Sequence, residues 1–144
     1  MKDNLFFKYL NNNFNDLNYI GSKFNKQFFS QNTTDLIFYY FFNKPIKLPP
    51  NITMITFGDK FNKKIKLPPN ITHLTFGCEF NKKIKLPKNL IRITFGYEFN
   101  QPIMLPPNIT HLTFGICFNQ PVELPPNITH LTFNYRFNQS IVLP

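Results

Sequence analysis

Three histidines, His73, His111 and His130, are the side chains best suited to chemistry in this chain, and the last two stand 19 residues apart. An imidazole can ligate a metal or carry a proton near neutral pH. Zinc, however, takes three or four ligands, and the equivalent place between His73 and His111 holds Arg92. Solvated surface histidines are therefore the preferred reading over a metal centre. The 7 acidic residues are scattered, with no carboxylates paired at useful spacing. There is no Gly-rich phosphate loop, no nucleophile elbow, and no base placed to activate Cys78 or Cys117. No catalytic set and no cofactor site is visible, so the expectation is a protein that is not an enzyme.

The elements that would position these residues come from a repeat. Phe-Asn followed by Lys or Gln recurs at Phe42, Phe61, Phe80, Phe99, Phe118 and Phe137, each step 19 residues long. Self-similarity at fixed period marks a stack of structural windings, each too small to bury its apolar face alone. Windings start at 42, 61, 80, 99 and 118, with a partial one at 137. Residues 24–41 fit the same template with one residue deleted, so the repeat spans 24–144 and residues 1–23 read as a degenerate N-terminal cap. Terminal windings are atypical because one face meets solvent.

Within a winding, Ile71-Thr72-His73-Leu74-Thr75-Phe76 interleaves apolar and polar residues and ends with period two, as a half-buried strand does. Gly77 closes it; its equivalents are Gly58, Gly96, Gly115 and Asn134. Glycine exchanged only for asparagine predicts a left-handed backbone there. Phe80, Ile84 and Leu86 would point inward from the return, and Pro68-Pro69 predicts an extended, polyproline-like corner. No segment has helical periodicity. The expected fold is mainly β, a single-domain parallel β-solenoid of leucine-rich-repeat type, with 19-residue windings and extended, non-helical returns.

Stacking turns equivalent positions into columns. Asn43, Asn62, Asn81, Asn100, Asn119 and Asn138 follow the buried Phe, and a short amide at every winding predicts a structural ladder that satisfies loop backbone. On the strand, Asp35, Met54, His73, Arg92, His111 and His130 form one outward column beside a nearly constant one, Thr56, Thr75, Thr94, Thr113 and Thr132. Variation on a constant background suits a recognition surface; exposed positions that drift give the same pattern. Asn-x-Thr at Asn32, Asn51, Asn70, Asn108 and Asn127 matches a glycosylation acceptor, but a turn-forming role is preferred because the repeat itself regenerates it.

The net charge of +9 is unevenly placed. Residues 42–92 account for +9 by themselves, residues 1–41 for +1 and residues 93–144 for −1. Lys63, Lys64, Lys66, Lys82, Lys83 and Lys85 would stack into a basic stripe on the return side. Such a stripe could meet an acidic protein, an anionic membrane surface or nucleic acid, or could simply keep the stack soluble. Nucleic acid is the weakest of these, because the aromatics follow the buried register and are not free to stack on bases.

Cys78 and Cys117 are 39 residues apart, two windings plus one residue. Two windings at strand spacing separate them by roughly 10 Å, too far for an unstrained disulfide, so they read as free thiols in a reducing compartment. The N-terminal stretch MKDNLFFKYLNNNFND interrupts its short apolar segment with charge and reads poorly as a signal peptide. No run of about 18 apolar residues exists, so no membrane span is expected. The expected location is cytoplasmic.

The motif Phe-Asn-x-Pro-Ile, present as FNKPI at 42–46 and FNQPI at 99–103, with FNQPV at 118–122, resembles the FNIP repeat family. The LPxNITHLTFG half of the unit matches too. Lys64, Lys83 and Ser140 replace the motif proline. The Ile71-x-x-Leu74-x-Phe76 skeleton is also similar to leucine-rich repeats, the LPPNITHL run being similar to the short bacterial type with extended returns. The resemblance implies a protein-interaction module of the kind found in social amoebae and giant amoebal viruses, where the cytoplasm would be the host's. Some family members carry an N-terminal F-box, but residues 1–23 are too short for one and lack its Leu-Pro opening. Two functions follow as expectations. One is a non-catalytic module presenting its strand face to a protein partner. The other is a structural solenoid that self-associates end to end through an open C-terminal edge near 128–133, with the basic stripe serving anionic partners.

Overall fold

In a computed structural model that describes residues 34–144, six short strands lie side by side in one parallel sheet. They are β1 (Asp35–Ile37), β2 (Met54–Thr56), β3 (His73–Thr75), β4 (Arg92–Thr94), β5 (His111–Thr113) and β6 (His130–Thr132), paired in sequence order. Each residue pairs with the one 19 positions on, as in Leu74 with Ile93 and Ile93 with Leu112. The repeat length is thus the length of one winding. The cap expected at 1–23, and most of the winding begun at Phe24, lie outside the described residues. Among the described residues no helix is long and apolar enough to cross a membrane.

The strands are only three residues long, so the core has to come from what flanks them. Leu36, Ile55, Leu74, Ile93 and Leu112 point inward from the strand centres and are buried. Two Phe columns complete the interior. Phe57, Phe76, Phe95 and Phe114 follow the strands, Phe61, Phe80, Phe99 and Phe118 open the returns, and all are at most 2% exposed. Inside a winding the two rings stack closely, with centroids 3.7 Å apart for Phe76–Phe80 and 3.6 Å for Phe114–Phe118. Between windings the same rings repeat at 5.2 Å for Phe57–Phe76 and 6.0 Å for Phe61–Phe80. Large planar side chains in offset stacks fill a narrow interior with few rotatable bonds to immobilise. The columns extend through every described winding, which is what makes the windings cohere.

Two reverse turns close each winding. After the strand, the Phe61 N–H donates to the Gly58 carbonyl at 3.2 Å, and Phe118 does the same to Gly115 at 3.3 Å. At the other end, the Leu90 N–H donates to the Pro87 carbonyl at 3.2 Å, and Ile128 to Pro125 at 3.2 Å. The Pro-rich corner, expected to be extended, is therefore a hydrogen-bonded turn. Proline supplies its fixed φ at the start, and the next two residues make the bend. The returns themselves are extended and carry no strand.

The glycine column corrects a second expectation. No described residue, glycine or otherwise, has positive φ. Glycine is needed because the windings touch there. A Cβ on Gly96 would lie 2.1 Å from the Gly77 carbonyl oxygen, and one on Gly115 would lie 1.9 Å from that of Gly96. Asn134 holds this place in the last winding, where its Oδ1 accepts from the Tyr135 N–H at 3.2 Å.

The stack is not a pure translation of one winding. In a straight, untwisted stack every pair of equivalent points is displaced by the same vector. Parallel hydrogen bonding holds neighbouring strands about 4.8 Å apart, while the Phe61-type rings repeat at 6.0 to 6.1 Å from Phe61 to Phe118. Successive windings are therefore related by a small rotation as well as a translation. Per-winding rotations of this kind shape the extended surfaces of solenoids.

Candidate functional site

The outward residues of the sheet are brought into line by the strand pairing. Asp35, Met54, His73, Arg92, His111 and His130 are direct partners across five successive strand pairs. Asp35, Met54, Arg92 and His130 are exposed, and His73 and His111 are half-buried. Beside them Thr56, Thr75, Thr94, Thr113 and Thr132 form the second outward row, with the same pairing.

The histidines are held by a residue that the periodicity did not single out. Thr72, Thr110 and Thr129 precede the three histidines, and each threonine hydroxyl sits 2.8 to 2.9 Å from the following Nδ1. The hydroxyls of Thr72, Thr110 and Thr129 also lie 3.0 to 3.4 Å from the carbonyl of the winding before. One hydroxyl thus ties ring orientation to the stack. The signal was present in the repeated Thr-His dipeptide, and the Arg92 winding, which has Ile91 in that place, lacks it.

His111 and His130 stack face to face, centroids 4.0 Å apart and planes 7° from parallel. Partial burial, then the charge of Arg92 and the neighbouring imidazoles, holds the His111 pKa below its usual value. Among the described residues no group of three or more His, Cys, Asp or Glu could hold a metal ion. What the row offers is a rigid, mostly polar, weakly basic strip of side chains at strand spacing.

On the far side of each winding the Asn column carries the stack. The Asn62 N–H donates to Asn43 Oδ1 at 2.9 Å, Asn81 to Asn62 at 3.1 Å, and Asn100 to Asn81 at 3.1 Å. The run continues from Asn119 to Asn100 at 2.9 Å and from Asn138 to Asn119 at 3.0 Å. Gln101 and Gln120 add a second donor to the Oδ1 of Asn81 and Asn100. A second ladder, from Asn70, Asn89, Asn108 and Asn127 Nδ2 to carbonyls 20 residues earlier, binds the Pro turns together. Asn70, Asn108 and Asn127 belong to the acceptor-like Asn-x-Thr sequences, and their amides are engaged here.

Lys63, Lys64, Lys66, Lys82, Lys83 and Lys85 project from the returns, with 64, 66, 83 and 85 exposed and 63 and 82 partly so. The ion pair among the described residues lies elsewhere, between Lys60 and Glu79 at the post-strand corner. That corner also carries exposed Tyr97 and Tyr135. Cys78 and Cys117 sit there as free thiols. Arg136 Nη1 lies 3.6 Å from Cys117 Sγ, while burial and Asp59 push the Cys78 thiol up.

The FNIP repeat model matches residues 42–79, 80–117, 99–123 and 118–144. Among solved structures, the chain is similar to the crystal structure of CroV588, a novel circular leucine-rich-repeat protein from a giant virus. The TM-score is 0.70 and the identity 44%, covering 76% of this chain and 18% of that one. This chain thus spans under a fifth of its solved neighbour's length. No curated protein matches the chain. The fold is a leucine-rich-repeat-like solenoid of a kind typical of protein-interaction modules and generally not of enzymes. With the family model matching from residue 42 to residue 144, the chain belongs to the FNIP repeat family.

Proposed function

We propose that the chain is a non-catalytic, cytoplasmic interaction module whose strand face, from Asp35 and Met54 through His73, Arg92, His111 and His130, contacts a protein partner. One observation carries this reading. The outward row varies from winding to winding while the buried Ile/Leu and Phe columns and the threonine row beside it hardly change. The fold needs nothing specific at the varied positions, and they are preset in geometry by pairing and by the Thr hydroxyls. The test is a pull-down from amoebal lysate with the wild-type chain and with Arg92→Glu/His111→Glu. A protein retained by the first and lost by the second supports the strand face; identical profiles refute it.

Self-association is the second reading, and a burial difference between two neighbouring windings motivates it. Leu131, Phe133 and Phe137 are only partly buried, whereas their equivalents Leu112, Phe114 and Phe118 are at most 1% exposed. Gel filtration over a concentration series separates the two. A dimer that forms with concentration and is lost in Leu131→Lys favours self-association, and a strict monomer favours the partner module.

A further inference from the structure

The return side carries a second surface that the strand-face reading leaves unused. Three lysine columns run along it: Lys47, Lys66 and Lys85; Lys63 and Lys82; Lys64 and Lys83. None of these seven makes an ion pair among the described residues. The acids between Phe42 and Leu86 are Asp59 and Glu79, both at the post-strand corner, where Glu79 pairs with Lys60 and Asp59 accepts from the Cys78 N–H.

The winding itself does not call for these lysines. One winding later the same columns hold Met104, Gln101 and Pro102, and then Glu123, Gln120 and Pro121, with the Asn ladder and Phe stack continuing unchanged. A basic charge needed only for solubility would be spread along the stack. Here it stops between Arg92 and Gln101.

We propose that these columns bind an acidic polypeptide segment laid in extended form along the solenoid axis. The geometry supplies the spacing. The buried rings that open the returns repeat at 6.0 Å per winding, from Phe61 to Phe80, and an extended chain advances roughly 6.6 Å over two residues. An Asp or Glu at every second position meets one winding each, so that an acidic face runs against Lys47, Lys66 and Lys85 in turn. Among the described residues the returns offer a nucleic acid no stacking platform. Phe61 and Phe80 are fully buried, and the exposed Tyr40, Phe41, Tyr97 and Tyr135 lie at the post-strand corner. This surface lies across the winding from the strand face, and its failure or success leaves that reading untouched.

The experiment uses the full chain and fluorescence anisotropy with a labelled synthetic peptide of alternating Glu and Ser. Comparators are a peptide of the same composition with its Glu residues in one block, an oligothymidylate of equal charge, and phosphatidylserine vesicles. The main variant is Lys63→Gln/Lys66→Glu/Lys82→Gln/Lys85→Glu, residues that these columns already accommodate at Gln101, Gln120 and Glu123. The alternating peptide binds tightest and weakens with added salt, and the variant loses about 10-fold or more in affinity, as several half-exposed charge contacts together would give. A second variant, Lys64→Pro/Lys83→Pro, restores the motif proline, keeps the winding and loses about threefold. Wild-type affinity in both variants, equal affinity for the block peptide, or tighter binding of the oligonucleotide or the vesicles would overturn the proposal.

Discussion

The two sides of a winding are held by different atoms. On the sheet side, backbone bonds to backbone: the Phe76 N–H donates to the Thr94 carbonyl at 2.9 Å, and Phe95 to Thr113 at 2.9 Å. On the return side, a side chain stands in for the missing strand, each Asn Oδ1 accepting the N–H of the next Asn. A backbone ladder is indifferent to side-chain identity, so outward residues on the sheet side are free to vary. A side-chain ladder works only with the right amide in every winding. That is why the variable outward row lies on one side and the invariant Asn column on the other, and why the ladder continues where the lysines between the Asn residues are replaced.

The comparison is broken most directly by removing the amides. Asn81→Ala/Asn100→Ala leaves half-buried donors of Asn100, Gln101, Asn119 and Gln120 without their acceptor. At about 1–3 kcal/mol for each stranded site, the pair costs roughly 2–6 kcal/mol, read as a lower midpoint in thermal and urea melts. An unchanged melt would sink the idea that amides hold the return side.

Close approach of the windings comes next. Gly96→Ala drives a methyl group into the Gly77 carbonyl, and overpacking of this kind costs about 1–3 kcal/mol. Wild-type stability in Gly96→Ala would show that the windings can spread at the corner. The sheet side should respond least to substitution. Arg92→Ala, on an exposed strand position, shifts stability by no more than about 0.5 kcal/mol in the same melts, while abolishing any partner binding that uses this row.

The smallest effect is one of pH. The His111 pKa is lowered from 6.5 by partial burial and then by Arg92, so the unfolded chain takes up that proton first as pH falls. Stability present above the unfolded value therefore declines as pH falls through the folded one. The melting temperature should drop slightly between about pH 7.5 and about pH 5, and His111→Gln should flatten that part of the profile. A midpoint that rises on acidification contradicts a lowered His111 pKa.

Period, strand face and inward columns were all legible in the residues. Ile71, Leu74, Phe76 and Phe80 recur at one spacing, and repetition leaves few ways to bury them. The basic stripe was legible for the same reason, since any column can be written out once the period is known. The glycine column was misread. Gly58, Gly77, Gly96, Gly115 and Asn134 look like a left-handed turn because local sequence reports conformational preference, not the distance to the winding above. The Pro corner was misread for a related reason: proline limits its own φ but leaves the next two residues to decide between a turn and an extended corner.

By itself the sequence determined that this chain is a stack, how long each winding is, and which residues line its interior, because a strict period leaves one register in which every apolar column is buried. Only the tertiary structure decided that Thr hydroxyls orient the histidines and that glycine serves contact between windings. Those properties depend on distances between residues 19 or 20 positions apart, and a one-dimensional pattern carries order but no distance.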